Sequence, residues 1–383
     1  MSDTQPPQNF YGDGLFDWQL SDANRAERWN LFTYNKEKYW GDFPAETDTT
    51  EAEATLPRWA IGPFTKHPAN PVLAPTPGAW DQGRYDGGVH NGSCLRMGEQ
   101  FYYVYRGEQP IDIPTQQHAM DYICDIGLAT SLDGVVFTKD SQHSPFFRHG
   151  PHRRFSYEDV NIVRWLERFH LFCNQWDWES VQDPRHNGVF LATSSDLRHW
   201  DRHGIVFPAA DRIHRNGVVL QNPQNAAVRP DGRFVMYIND GLVAYSTDLV
   251  HWESEPIAER WPGGEGCVAI TDYNPASPED IVLFTGGHHT GHFYAIGEVL
   301  FHRSRPTQPR AWLPRPALQA DSQFPWEDGR QAQPPHAPIS SYRDCIFVNG
   351  LTQFAGRWWL YYGGSEYYTC LATAPVHQTP SNG

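Results

Sequence analysis

Glu158 and Asp159 stand side by side in Phe155-Ser-Tyr-Glu-Asp-Val-Asn-Ile-Val163, directly ahead of an apolar run. A carboxylate at the mouth of a strand is held by a rigid element while it still reaches solvent, which suits a general acid. An isolated Glu-Asp pair also reads as a solvated turn, so its weight depends on what recurs elsewhere in the chain.

The elements that must position these groups are short. Gly (32) and Pro (31) punctuate the chain, and aromatics make up 14% of it with 15 Trp, a composition that favours strands and turns over long helices. Trp and Tyr in such number also suit carbohydrate, whose apolar ring faces pack on aromatic planes. The formal charge of -15 and the lack of a long basic run argue against nucleic acid and membrane as partners, and leave small neutral ligands open. The N-terminus, Met1-Ser-Asp-Thr-Gln-Pro-Pro7, has neither a basic n-region nor an apolar h-region, so the expected location is cytoplasmic. Cys94, Cys124, Cys173, Cys267, Cys345 and Cys370 form no C-x-x-C pair and read as buried, reduced thiols.

Residues 1–54 differ in texture. Asp22 to Phe32 reads as a capped amphipathic helix and Glu46 to Thr55 as an acidic linker, together an N-terminal helical extension that is a candidate homo-oligomer contact. Residues 55–383 carry a repeat: an apolar run, a turn and an aromatic run recur at Ser93–Tyr105, Asn161–Phe172, Ala226–Tyr237, Val268–Phe284 and Ile346–Tyr362. Most are followed by a third strand and a Ser-x-Asp turn, which reads as structural. The expected fold class is all-β, a five-bladed β-propeller.

In a propeller blade the start of the inner strand and the end of the next strand meet at one face, near the axis. That rule gathers Asp86, Asn91 and Arg106 from blade one, and Glu158, Asp159 and Asp177 from blade two. Blade three supplies Asn222, Asn225 and Asn239, blade four Glu265 and His288, and blade five Arg343, Asp344 and Glu366. A funnel of carboxylates and amides, with Trp80, Trp176 and Trp178 as aromatic walls, is what glycosidic cleavage requires. No phosphate-binding loop, nucleophile elbow, zinc-protease or dinucleotide signature competes with this reading. His288-His-Thr-Gly-His292 lacks a companion Cys or acidic spacing, so no metal and no cofactor are expected.

At these residues the sequence resembles glycoside hydrolase family 130, the mannoside phosphorylases and mannosidases, and related five-bladed β-propeller glycosidases. The likeness lies in Val89-His-Asn-Gly92, Tyr103-Val-Tyr-Arg-Gly107, Ile126-Gly-Leu-Ala-Thr-Ser-Leu-Asp-Gly134, Glu158-Asp159, Tyr294-Ala-Ile-Gly-Glu-Val-Leu300 and Val348-Asn-Gly-Leu leading to Tyr361-Tyr-Gly-Gly-Ser-Glu366. The resemblance implies that Asp159 is the general acid, working through a relay over a sugar hydroxyl. It implies that Asn91 and Arg106 hold the sugar at the cleavage subsite, with Glu366 where the family has an aspartate. Asp86, Glu158, Asp177, Asn222, Asn239, His288 and Asp344 complete the expected substrate-binding set.

The departures matter as much. The phosphorylases' E-D-P-R is Glu158-Asp-Val-Asn161 here, a second family arginine corresponds to Asn239, and the histidine of their Y-H-G motif to Gly286. Asparagine in place of two arginines leaves too little charge for a phosphate dianion, which argues against phosphorolysis. Hydrolysis then needs a base, the role expected of Glu265. The expected activity is an inverting glycoside hydrolase that removes a terminal sugar from an oligosaccharide, a β-mannoside or a relative. The alternatives are an arabinosidase- or fructosidase-type hydrolase with Asp86 in the catalytic set, and a sugar-binding propeller without catalysis.

Overall fold

Apolar strands interrupted by Gly, Pro and Asx turns give five four-stranded antiparallel sheets in the computed structural model. Residues 56–376 are described, apart from 84–86, 111–121, 148–153, 178–179, 181–182, 210–214, 240, 259–264, 290–291 and 329–344. The expected N-terminal helical extension, residues 1–54, lies outside the described residues.

Blade one comprises Val89–Met97, Gln100–Pro110, Tyr122–Ser131 and Thr138–Lys139, β2 to β5 in order from the axis outward. Blade two is Phe155–Trp165, Arg168–Asp177, Gly188–Ser194 and Asp201–Pro208 (β6 to β9), and blade three Val218–Val219, Phe234–Ile238, Leu242–Ser246 and Glu253–Pro256 (β10 to β13). Blade four is Glu265–Thr271, Asp280–His289, His292–His302 and Ala311–Trp312 (β14 to β17). Blade five is built from both parts of the chain: Ile346–Phe354, Arg357–Gly364 and Tyr368–Pro375 (β18 to β20) receive Thr65–Lys66 (β1) as the outer strand. Asn70 secures that closure. Its amide donates to the Leu371 carbonyl at 2.9 Å and accepts the Leu371 N–H at 2.7 Å.

Apolar side chains fill the wedges between adjacent blades. Val104 and Ile126 meet Ile162 and Leu171 between blades one and two, and Phe172 and Val189 meet Phe234 and Met236 between two and three. Val235 meets Ala269 and Ile281, Phe284 meets Leu360, and Tyr361 meets Phe101 around the rest of the ring. Each sheet is thus covered on both faces, which is why its strands read as nearly continuous apolar runs. The Ser-x-Asp turns are structural. In each, the Ser hydroxyl accepts an N–H (Gly134, Leu197 or Leu249) and the Asp carboxylate accepts two more. All six cysteines are free thiols, five of them buried.

One blade departs from the repeat read in sequence. The inner strand of blade three is the dipeptide Val218–Val219, whereas the apolar segment 226–228 turns back on it: Ala227 bridges Gln221, and Val228 N–H donates to the Leu220 carbonyl. Residues expected at the start of that strand are therefore shifted to its far end.

A buried carboxyl in blade four makes stability depend on pH. Glu298, on β16, accepts the Ile61 N–H at 2.8 Å through Oε2, and Oε1 has no partner among the described residues. Burial pushes its carboxyl up to about 8. The unfolded side chain titrates near ~4.3, so the native state holds the extra proton between these values and loses stability as pH rises through the window. The penalty is complete above the folded value and is on the order of 5 kcal/mol. Glu298→Gln keeps an acceptor for Ile61 without the charge. Its melting temperature should match the wild type near the acidic edge of the window and exceed it at the alkaline edge; parallel curves for the two proteins would refute this assignment.

Candidate active site

At one end of the propeller axis the inner strands of four of the five blades break register in the same place, and only blade three's two-residue strand does not. β2 shifts between His90 and Ser93, β6 between Glu158 and Asn161, β14 between Gly266 and Val268, and β18 between Val348 and Gly350. A β-bulge re-aims a side chain that regular pleating would send into the sheet. The residues within these bulges include Asn91, Asp159, Cys267 and Asn349, while Asn216 stands at φ 57° just ahead of β10. All five line one open pocket of about 420 Å³, with Glu265, Tyr294, Phe347 and Glu366. Asn91 and Asp159 take φ of 44° and 53°, a left-handed conformation that Asn and Asp tolerate better than branched residues. Gly92 completes the first bulge, since a Cβ there would lie 2.5 Å from the Val104 carbonyl oxygen.

Asp159 is the most heavily bonded of these groups. Asn91 Nδ2 donates to Oδ1 and Asn174 Nδ2 to Oδ2, both at 2.7 Å. Arg106 Nη1 lies 3.6 Å from Oδ1 and Arg215 Nη1 4.0 Å from Oδ2. Arg215 continues to blade four, where Nη2 donates to Glu265 Oε1 at 2.6 Å. Acid and base candidates from nonadjacent blades thus share one guanidinium. Since both contacts run through that planar group, Asp159 Oδ2 and Glu265 Oε1 are at most about 9 Å apart.

Arg106 is buried behind the pocket rim. Glu108 Oε1 sits 2.5 Å from Nη2, Cys124 Sγ 3.1 Å from Nε, and Glu158 Oε1 3.9 Å away. Despite the opposing cost of burial, these acidic neighbours hold its guanidinium well above the usual value, so it stays charged beside Asp159. Glu158 points away from the pocket: it accepts the Trp176 indole N–H at 3.2 Å and braces Arg106. Glu366 lines the pocket. Burial raises its carboxyl above the usual range, with His90 and Arg106 pulling the other way.

Not every expected residue converges. Asp177 is fully buried at the end of β7, bound by both Arg154 nitrogens and by His186 Nδ1 at 2.9 Å, so it organises the blade edge. Asn222 falls at the opposite end of blade three, because Val218–Val219 is the inner strand; its Oδ1 caps the N–H groups of Gln224 and Ala226, both at 3.0 Å. Asn239 sits at the correct end. Its N–H donates to the Arg215 carbonyl, and neither atom of its buried amide has a partner among the described residues. Asp86 and Asp344 lie outside the described residues, as do the side chains of His288 and its neighbours and Trp178. Trp80 stacks on Tyr105 and Trp176 is buried on Glu158, so the pocket's aromatic lining comes from Tyr294 and Phe347 instead.

Arg215, Asn174 and Asn216 were missed in the sequence. The misplaced inner strand of blade three hid Arg215 and Asn216, which precede Val218–Val219, and Asn174 lies mid-strand in an apolar run with no local signal.

The sequence matches no protein-family model and no curated protein. Solved structures do match over nearly their whole length. A glycosyl hydrolase from Bacteroides ovatus is 22% identical, with 84% of this chain and 99% of that one covered at a TM-score of 0.66. A structure from the GH130 family of mannoside phosphorylases, described as containing glycoside hydrolases that target β-1,2-mannosidic linkages in Candida mannan, is 23% identical over 85% and 99% at 0.66. The β-1,2-mannobiose phosphorylase of Listeria innocua, in complex with β-1,2-mannobiose, is 15% identical over 82% and 97% at 0.63. The chain shares their fold.

Within that shared fold two sequence departures acquire a physical meaning. Asn161 does not face the pocket, because its Oδ1 accepts the Val219 N–H at 3.0 Å and ties blade two to blade three. Gly286 pairs directly with Glu265, and a Cβ at that position would stand 3.0 Å from Phe347 Cβ. The count of cations also changes, since Arg215 supplies a guanidinium that the sequence comparison left out. Among the described residues no helix is long and apolar enough to cross a membrane.

Proposed function

We propose that the chain is a glycoside hydrolase that removes a terminal sugar, a β-mannoside or a close relative, from an oligosaccharide with inversion at the anomeric carbon. The observation that carries this reading is the pair Asp159 and Glu265, two carboxylates lining one open pocket and linked through Arg215. Their ceiling of about 9 Å admits the ~6.5–9.5 Å of inverting enzymes and the ~5–5.5 Å of retaining ones, so the anomer first released decides between them.

In the reaction, water attacks the anomeric carbon as the glycosidic C–O bond breaks on the opposite side. Glu265 accepts the proton that water sheds, and Asp159 supplies the proton taken by the leaving oxygen, directly or over a sugar hydroxyl. Asn91 and Asn174 fix both Asp159 oxygens, so the acid meets the bond in one orientation. Arg106 turned toward Asp159 supports this reading over an arabinosidase-type site built on Asp86. The mannose specificity rests on the solved structures of similar fold, one named for β-1,2-mannosidic linkages and one bound to β-1,2-mannobiose.

Arg215 gives a second reading its one argument. A guanidinium in the pocket could receive phosphate, and the activity would then be phosphorolysis. Its engagement with Glu265 at 2.6 Å speaks for hydrolysis, because the charge is already matched. A panel of nitrophenyl glycosides and β-linked manno-oligosaccharides, with and without phosphate, tests both. Free sugar released at a phosphate-independent rate, first as the inverted anomer by NMR, is expected. Sugar 1-phosphate as product would establish phosphorolysis, and binding without turnover would leave a sugar-binding propeller.

A further inference from the structure

We propose that Arg215 is a positioning residue that sets the base Glu265 against the acid Asp159. The inference rests on the hydrolase reading above. Glu265 is the first residue of β14, at the pocket mouth. Arg215 Nη2 binds that carboxylate at 2.6 Å while Nη1 reaches to 4.0 Å from Asp159 Oδ2.

The arginine is itself held by the acid's own network. Its carbonyl accepts the Asn239 N–H at 3.0 Å, and the next N–H, of Asn216, donates to Asn174 Oδ1 at 2.8 Å. Asn174 then donates from Nδ2 to Asp159 Oδ2 at 2.7 Å. Backbone and guanidinium therefore hang from the same carboxylate by two routes, which closes a frame between blades two and three and extends it to Glu265 in blade four. A guanidinium neither gives up nor accepts a proton in the working pH range, so its effect is exerted through Glu265: it favours the ionised form that can take a proton from water, and it fixes where that form points.

The test compares full-length Arg215→Ala, Arg215→Lys and wild type on a nitrophenyl glycoside that the wild type turns over, across pH, with guanidinium chloride or inorganic phosphate added. The expected result is a kcat about 100-fold lower in Arg215→Ala with KM changed less than about threefold. The acidic limb of its pH profile should move to higher pH, and Arg215→Lys should recover part of the rate. Guanidinium, far below denaturing concentrations, should raise the rate of Arg215→Ala at least about tenfold and leave the wild type unchanged. Rescue in the same preparation also shows that the variant is folded. An unchanged kcat, a loss confined to KM, or a loss with neither rescue nor a shifted pH limb would overturn the proposal. A phosphate-stimulated wild-type rate lost in Arg215→Ala would overturn it too, by making Arg215 an anion ligand. A wild type that turns over no glycoside overturns the hydrolase reading and this inference together, whereas the preceding outcomes overturn the inference alone.

Discussion

Asp159→Asn is expected to lower kcat/KM on an oligosaccharide by roughly 1,000-fold, the scale of a lost general acid. The loss should shrink to about tenfold on a dinitrophenyl glycoside, whose leaving group departs with little need of a proton. That dependence is the diagnostic part of the result, because Asp159 also has a structural role. Asn91 and Asn174 both donate amide hydrogens to it, and an asparagine there presents an NH2 to one of them. One lost hydrogen bond and one donor left facing a donor should cost about 1–3 kcal/mol of stability, visible as a lower melting temperature. Instability lowers the rate on every substrate equally. If the loss on oligosaccharide and dinitrophenyl substrates were equal, the acid assignment would fall and Asp159 would be a binding or framework residue.

Glu265→Gln is expected to behave in the opposite way. A base that activates water is needed whatever the leaving group, so kcat should fall by about 100- to 1,000-fold on good and poor leaving groups alike. The substitution also removes the charge that Arg215 meets at 2.6 Å in the pocket beside Asp159. The acidic limb of the pH profile should therefore be lost. Rates within about threefold of wild type would eliminate Glu265 as base and leave it a group that binds sugar hydroxyls. The leaving-group dependence of Asp159→Asn is what a folding defect cannot imitate, and the uniform loss in Glu265→Gln is separated from such a defect by a melting temperature close to that of the wild type.

The placement of Arg215 also bears on the argument against phosphate. Asn161 and Asn239 stand where the family pattern has cations, and the structure gives each a different duty: Asn161 holds the Val219 N–H between blades, and Asn239 anchors the Arg215 carbonyl. What disfavours a dianion in this pocket is the carboxylate of Glu265 bound to the guanidinium beside it, more than any missing arginine.

Much of the fold was legible because its signals are local. Alternation, aromatic runs and Asx turns are properties of ten or twenty consecutive residues, and they marked five blades, four of them with the inner strand correctly placed. The carboxylate ahead of Val160 was legible for the same reason, as a polar residue at the mouth of an apolar strand, and so were Asn91, Arg106, Glu265 and Glu366 at equivalent blade positions. Blade three broke the rule because its inner strand is a two-residue ladder, and the longer apolar segment after it folds back onto Leu220 and Gln221 and bridges Arg164 in blade two. Pairing across blades decided that, and pairing is not local. The same holds for closure, where Thr65 meets Thr373, and for Glu158, whose bulged strand sends it behind the pocket while its neighbour Asp159 turns into it. The sequence by itself determined which side chains could act as acid and base; only the tertiary structure decided that one arginine, from an unremarked segment, joins them, because hydrogen bonds among three blades fix a geometry that no single stretch of chain contains.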